Sequence, residues 1–212
     1  MNNVDPDFWR ARWGEGRIGF HEGAPNALLM KQGAHLGEGK RVFVPLCGKA
    51  EDLAFLAAQG HQVVDVELVE AAVQAFFEEH RVEPVVSKRG AFVQYAAQNI
   101  TLFVGDYFAC SREVLGEVNA FYDRAAMIAL PASMRGAYVK LLREVLPVGS
   151  PGIIITVEYA QEQMEPPPFS VPEVELRAHY FGATLECVAQ VKAEGMRLGA
   201  LHAVEKCFTV SL

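Results

Sequence analysis

Arg41-Val42-Phe43-Val44-Pro45-Leu46 is a short apolar run rich in β-formers, and Cys47-Gly48-Lys49 stops it. A strand buried on both faces of a sheet reads this way. The alternation then repeats. Residues 50–59 place Leu53, Leu56 and Ala57 at helical spacing, with Gly60 positioned to end the helix. Residues 61–67 read as the next strand, and Val69, Ala72, Val73, Phe76 and Phe77 mark one face of a second helix. Further strands are expected at residues 100–104, 119–122 and 152–158. A helix capped by Ser133 carries Met134, Tyr138, Leu141, Leu142 and Val145 on its apolar face, and the 146–149 turn stops it. Residues 172–180 read as helix, and 184–191 with 203–210 as an antiparallel hairpin. Pro84 and Gly90 interrupt residues 83–98, which read as irregular with short helical pieces.

Alternating strand–helix units imply an α/β fold, doubly wound around a mostly parallel sheet, here with an antiparallel C-terminal hairpin. Right-handed crossovers bring the C-terminal strand ends to one rim, where open α/β sheets bind ligands. Gly48, Glu67, Asp106, Asp123-Arg124 and Glu158 all fall at such ends. The length of 212 residues suits one domain, 1–212, whose residues 1–39 form an N-terminal segment. Hydrophobic residues at 51% supply a core, and a net charge of -7 without a dense basic cluster argues against nucleic acid. The acidic, aromatic start MNNVDPDFWRARW lacks the features of a signal peptide, and no apolar run is long enough to span a bilayer. Four dispersed cysteines form no Cys-x-x-Cys pair. A cytoplasmic location, no membrane partner and a monomer are expected.

The turn after the first strand has Cys47-Gly48-Lys49 in place of a Gly-x-Gly-x-x-Gly fingerprint. That weakens the case for a pyrophosphate-bearing dinucleotide, and so for a nicotinamide-dependent oxidoreductase. A phosphate-binding P-loop is excluded as well, since its upstream glycine would be Ala34 or Phe43. A nucleoside ligand without phosphates suits the turn better. Glu67 stands where an acid accepts from ribose hydroxyls in nucleoside-binding α/β folds, the alternative being a solvated strand-end acid. Asp106 fits an adenine amino group or an ordinary turn. Phe8, Trp9, Trp13, Phe20 and His21 cluster before the first strand, with Trp9 and Trp13 on one helix face. They read as a helix packed on the domain, as an aromatic lid over a sulfonium cation, or as both. The six histidines show no metal-ligand spacing, so no metal is implied, and Cys47 reads as a small half-buried thiol.

Asp7-Phe8-Trp9-Arg10-Ala11-Arg12-Trp13, Ile18-Gly19-Phe20-His21, Val44-Pro45-Leu46-Cys47-Gly48-Lys49, Val66-Glu67-Leu68, Tyr122-Asp123-Arg124-Ala125 and Pro167-Pro168-Phe169-Ser170-Val171-Pro172 together resemble the thiopurine S-methyltransferase family in its bacterial form. The resemblance runs in order along almost the whole chain and implies S-adenosylmethionine as cofactor. It implies that Trp9, Trp13 and Phe20 enclose the cofactor, that Leu46 touches it and that Glu67 holds the ribose. It places Asp106 and Tyr107 at the adenine and Arg124 between cofactor and acceptor. Phe20, Arg124, Pro167 and Phe169 line the acceptor pocket, with Arg124 as the catalytic group. The implied acceptor is a thiopurine or another small aromatic or heterocyclic thiol; selenium or tellurium compounds, or halide, are the alternative. Two positions depart from the family pattern. Asp65 replaces a glycine and shares a strand face with Glu67 unless it turns to solvent. Val69 replaces a helix-capping serine.

Overall fold

The computed structural model describes residues 6–19, 21–193 and 196–212. Phe20 lies outside the described residues. One sheet contains β1 (Arg41–Phe43), β2 (Gln62–Glu67), β3 (Val85–Arg89), β4 (Phe92–Ala97), β5 (Ile100–Val104), β6 (Ala120–Asp123), β7 (Pro151–Glu158), β8 (Thr184–Lys192) and β9 (Val204–Ser211), in the order β3-β4-β5-β2-β1-β6-β7-β9-β8. The five inner strands β5, β2, β1, β6 and β7 run parallel, and the two pairs at the flanks are antiparallel.

The helices are α1 (Pro6–Gly14), α2 (Ala27–Gln32), α3 (Glu51–Ala58), α4 (Glu70–Glu79), α5 (Arg112–Leu115), α6 (Ala126–Ala129), α7 (Ala132–Val145), α8 (Glu173–His179) and α9 (Met196–Ala200). Strand alternation divides the apolar residues between two faces. Phe43, Val64, Val66, Phe103 and Phe121 pack with Tyr138, Leu142 and Val145 of α7 and Leu176 of α8. Val42, Val63, Leu102 and Tyr122 pack on the other face with Leu28 and Leu29 of α2, Leu53 and Leu56 of α3, and Phe76 and Phe77 of α4. Each such side chain contributes roughly 1.5–3 kcal/mol when fully buried, which is what holds helices on both faces. No helix among the described residues is long and apolar enough to cross a membrane.

Two sequence expectations are corrected. Residues 83–98 are not irregular: β3 and β4 form a hairpin with Arg89 opposite Phe92, turning at Gly90 with φ of 61°. Gly90 is the turn residue of that hairpin, and the glycine supplies the left-handed conformation at no steric cost. All of β3 is exposed, so its sequence carries no apolar alternation to read. The cap of α7 is Pro131, not Ser133. Pro131 enters at φ of -62° with extended ψ and offers no side-chain bond, leaving Ser133 inside the first turn.

Candidate active site

The parallel strand order lines up the C-terminal ends of β5, β2, β1, β6 and β7 in that sequence along one rim. The end of β1 makes the tightest turn. Val44 and Leu46 still donate to Val64 and Val66 of β2, at 2.8 and 3.2 Å. Leu46 and Gly48 then take left-handed φ angles of 56° and 61°. A Cβ at position 48 would sit 3.0 Å from Cζ2 of Trp13, so the glycine lets the α1 tryptophan close on the turn. Trp9 and Trp13 are half-buried, Trp9 meets the Phe8 ring edge-on at 5.4 Å, and α1 packs on α4.

Glu67 ends β2 with its carboxylate fixed on both sides. Oε2 accepts from the Gly48 N–H at 2.9 Å and Oε1 from the Val69 N–H at 2.8 Å. Burial pushes its pKa upward, and the backbone donors Val69, Gly48 and Leu68 hold that rise back. Each oxygen keeps a second lone pair for another donor. Val69 caps α4 without a side-chain bond, as its residue type implied.

Asp65 lies two residues earlier on the same face and is fully buried, so it does not turn to solvent. Neither of its oxygens makes a hydrogen bond. Burial and then Glu67 push its pKa well above the carboxylate range; nearby Cys47 and Val66 temper this. Burial, Asp65 and Glu67 push the Cys47 thiol well up in turn, which disfavours the thiolate there.

Asp106 follows β5. It is exposed, and its Oδ1 accepts from the Phe108 N–H at 2.9 Å in a short 3-10 turn. Tyr107 lies in the core: its ring stacks on Phe43 at 6.1 Å and its hydroxyl donates to the Tyr138 carbonyl at 3.0 Å. The side chain that the resemblance puts at the adenine is thus packed inward, and its hydroxyl is already committed.

At the end of β6, Asp123 and Arg124 diverge. Asp123 is buried and accepts from the Ala126 and Met127 N–H groups at 3.1 and 3.4 Å and from the Tyr138 hydroxyl at 2.7 Å. Burial raises its pKa to about 6 against those three donors. Arg124 pairs with neither Asp123 nor Glu158. Its guanidinium forms an ion pair with Glu22, from the segment between α1 and α2. Burial disfavours its charge, but Glu22, Tyr122, Asp52 and Glu205 outweigh that and raise its pKa. Asp52 of α3 accepts from the Asn26 N–H at 2.6 Å and the Tyr122 hydroxyl at 3.0 Å. Glu158 pairs instead with Lys206 at 2.8 Å.

Residues 166–170 are held against α6 and Tyr159. Phe169 N–H donates to the Ile128 carbonyl of α6 at 2.6 Å, and the Tyr159 hydroxyl donates to Pro168 at 2.5 Å. Pro167 is buried, and the Arg135 guanidinium carbon lies 5.7 Å from the centre of the Phe169 ring. This segment therefore docks on the helix that begins just after Arg124.

Glu22, Asn26, Asp52 and Glu205 escape a reading of strand ends. Glu22 had one signal, its place directly after Ile18-Gly19-Phe20-His21. His21, Glu51 and Glu79 also come within 4.8 Å of one another by their ligand atoms. Lys49 pairs with Glu79 at 2.5 Å and His80 with Glu51 at 3.2 Å, so both carboxylates already have partners.

The sheet order and rim define the class. Among solved structures, the chain is similar to the 1,6-didemethyltoxoflavin-N1-methyltransferase of Burkholderia thailandensis, with a TM-score of 0.69 and 16% identity over 98% of this chain and 87% of that one. It is also similar to the magnesium protoporphyrin IX methyltransferase of Synechocystis, with a TM-score of 0.63 and 12% identity over 97% and 98%. Both likenesses place the fold among those of S-adenosylmethionine-dependent methyltransferases. The family model for thiopurine S-methyltransferase matches residues 4–204. Curated relatives of that name are 49% identical in Pseudomonas aeruginosa, over 84% of this chain and 83% of theirs, and 40% identical in Pseudomonas putida, over 98% and 100%. The chain belongs to the thiopurine S-methyltransferase family, and it is a methyltransferase that uses S-adenosylmethionine. The nicotinamide-dependent alternative falls with that assignment.

Proposed function

We propose that the acceptor is the sulfur of a small aromatic or heterocyclic thiol, thiopurines included. One observation carries this reading: the rim order leaves only β1 between the Glu67 end of β2 and the Arg124 end of β6, and the Phe169 N–H bonds to the Ile128 carbonyl of α6, four residues after Arg124. The name shared by the curated relatives supports the same acceptor class.

The residues present suit the cofactor. Glu67 is a buried carboxylate held rigid by two backbone donors, with lone pairs left for a vicinal diol. Bound at this rim, S-adenosylmethionine would supply a methyl group that a soft sulfur attacks in line, with S-adenosylhomocysteine leaving as the neutral thioether. The chain's task is then placement and exclusion of water, since near-attack geometry supplies much of such a rate enhancement. In this reading Glu67 fixes the ribose, Asp106 serves the adenine, and Leu46, Trp9, Trp13 and Phe20 enclose the cofactor. Arg124 orients the acceptor sulfur, and Phe20, Pro167 and Phe169 supply apolar walls for a flat ring.

The test is transfer from labelled S-adenosylmethionine to a panel of thiopurines, thiophenols, metalloid oxyanions and halide. Labelled thioether from the aromatic thiols is expected. Transfer confined to the oxyanions or halide would sink the thiol reading.

A further inference from the structure

We propose that Asp65 tells the cationic cofactor from its neutral product: it stays a neutral acid in the free protein, gives its proton to solvent when S-adenosylmethionine binds, and keeps that proton when S-adenosylhomocysteine binds. This role rests on the placement of the cofactor ribose at Glu67 and is independent of the acceptor.

Asp65 is first a geometric anomaly. It is fully buried on an inner strand, in register with Leu102 of β5, and shares a strand face with Glu67 two residues on. Neither of its oxygens has a hydrogen-bond partner among the described residues. The neighbouring Cys47 thiol donates instead to the Gly48 carbonyl at 3.5 Å. A buried polar group without a partner costs free energy in either protonation state, and nothing in the fold offsets that cost here. Such a group points to a ligand.

The titratable groups around it are acids and thiols. Glu67 follows it on β2, Cys47 lies in the turn after β1, and Cys110 beyond β5 feels its charge. Asp52 of α3 acts on the same Cys47. None of these is a cation. An unpaired buried carboxylate is strongly disfavoured, and a second one beside Glu67 more so. Glu67 has two backbone donors and so carries the negative charge that accepts from a ribose diol. Asp65 has no such bond and keeps its proton.

A cationic ligand changes that balance. The cofactor sulfur is bonded to C5′ of the ribose that Glu67 holds, so with S-adenosylmethionine bound Asp65 faces a fixed positive charge in a low-dielectric corner. Charges act there over a longer range than in water. Asp65 then ionises and its proton leaves for solvent. After methyl transfer the sulfur is a neutral thioether, and Asp65 takes a proton back. Asp65 thereby shifts the ratio of the two affinities toward the loaded cofactor.

The experiment titrates the full chain with S-adenosylmethionine and, separately, with S-adenosylhomocysteine by calorimetry. Buffers of equal pH and different ionisation enthalpy count the protons released. Wild type is expected to release about half a proton more with S-adenosylmethionine near neutral pH. Because that proton leaves on binding, the wild-type affinity ratio should also rise with pH. Asp65→Asn, which cannot ionise, should remove the difference in protons and cut the ratio about fivefold, with S-adenosylhomocysteine bound within about twofold of wild type. Any protonation of the cofactor's own amino group is common to both chains and cancels between them. A merely structural Asp65 would shift both ligands alike and leave the proton count alone. Equal counts for the two ligands in wild type, or a difference that survives in Asp65→Asn, would overturn the proposal. Asp65→Ala gives the same comparison if the asparagine variant melts early.

Glu67→Ala in the same titrations separates this role from the ribose placement. If the proton difference depends on Asp65 while Glu67→Ala binds the cofactor as tightly as wild type, the Asp65 role stands and the ribose placement falls. If Glu67→Ala loses the cofactor but the wild-type counts are equal, the ribose placement stands and the Asp65 role falls.

Discussion

The ends of β2 and β6 lie on one rim with only β1 between them, yet they are built by different means. Glu67 is held by backbone N–H groups, one two residues on at Val69 and one at Gly48 in the turn that follows the neighbouring strand β1. Arg124 is held by side chains from remote segments, chiefly Glu22. A backbone cradle is as rigid as the sheet that carries it. An ion pair between side chains can exchange partners. The β2 end is thus suited to a constant ligand, and the β6 end to one that comes and goes.

The largest expected effect separates the two ends by kinetics. Arg124→Ala should cut turnover by roughly a hundredfold, the scale of a lost positioning group, with cofactor affinity changed less than about threefold. Steady-state rates beside calorimetric titration of S-adenosylmethionine decide it, and equal turnover would break the comparison. Glu67→Ala should show the reverse pattern. Loss of a charged acceptor costs about 2 kcal/mol, which weakens the cofactor roughly thirtyfold, while turnover at saturating cofactor falls much less. A variant with intact cofactor affinity would show that the β2 end does not grip the ribose.

Two smaller effects concern the supports beneath each end. Asp123→Asn weakens or removes bonds to two backbone donors and the Tyr138 hydroxyl, and should cost about 2 kcal/mol in urea denaturation. Its pH dependence has a definite sign. The folded pKa of about 6 lies above the ordinary value of 3.8, so the folded state binds the proton more tightly. The contribution of this group to stability is therefore full below pH 4, declines as pH rises to 6, and is flat beyond. The gap between wild type and Asp123→Asn should narrow across that window.

Asp65→Ala is expected to stabilise by about 1 kcal/mol, because it removes a buried carboxyl without hydrogen bonds. With its folded pKa also raised, the cost of keeping Asp65 grows as pH climbs above 4. The gain in melting temperature should be larger at pH 8 than at pH 5. A loss of stability would reveal a partner for Asp65 and make the two ends more alike.

Much of the fold was legible in the sequence because the inner strands are buried on both faces. Val42 to Val44 and residues 153–155 leave continuous apolar runs that a single pass detects, and Val63, Val64 and Val66 leave one that only Asp65 interrupts. The C-terminal hairpin was legible through β9, whose residues 207–210 are buried, although β8 beside it is an edge strand with no buried residue. The β3–β4 hairpin was not, since an exposed edge strand such as β3 records nothing about its partner. Tyr107 shows the same limit at the site. Its residue type suits a rim, but stacking on Phe43 and the bond to Tyr138 turn it into the core.

What the sequence determined by itself was the alternation of elements, and through it which acids and glycines stand at strand ends. Those features follow from local periodicity, which neighbouring residues enforce. Only the tertiary structure decided the partners. It put Glu22 on Arg124, Gly48 under Trp13, and Asp65 in a buried position beside Glu67. Such pairings depend on segments distant in the chain meeting in space, and a charge or a carboxyl leaves no periodic trace of the group it will meet.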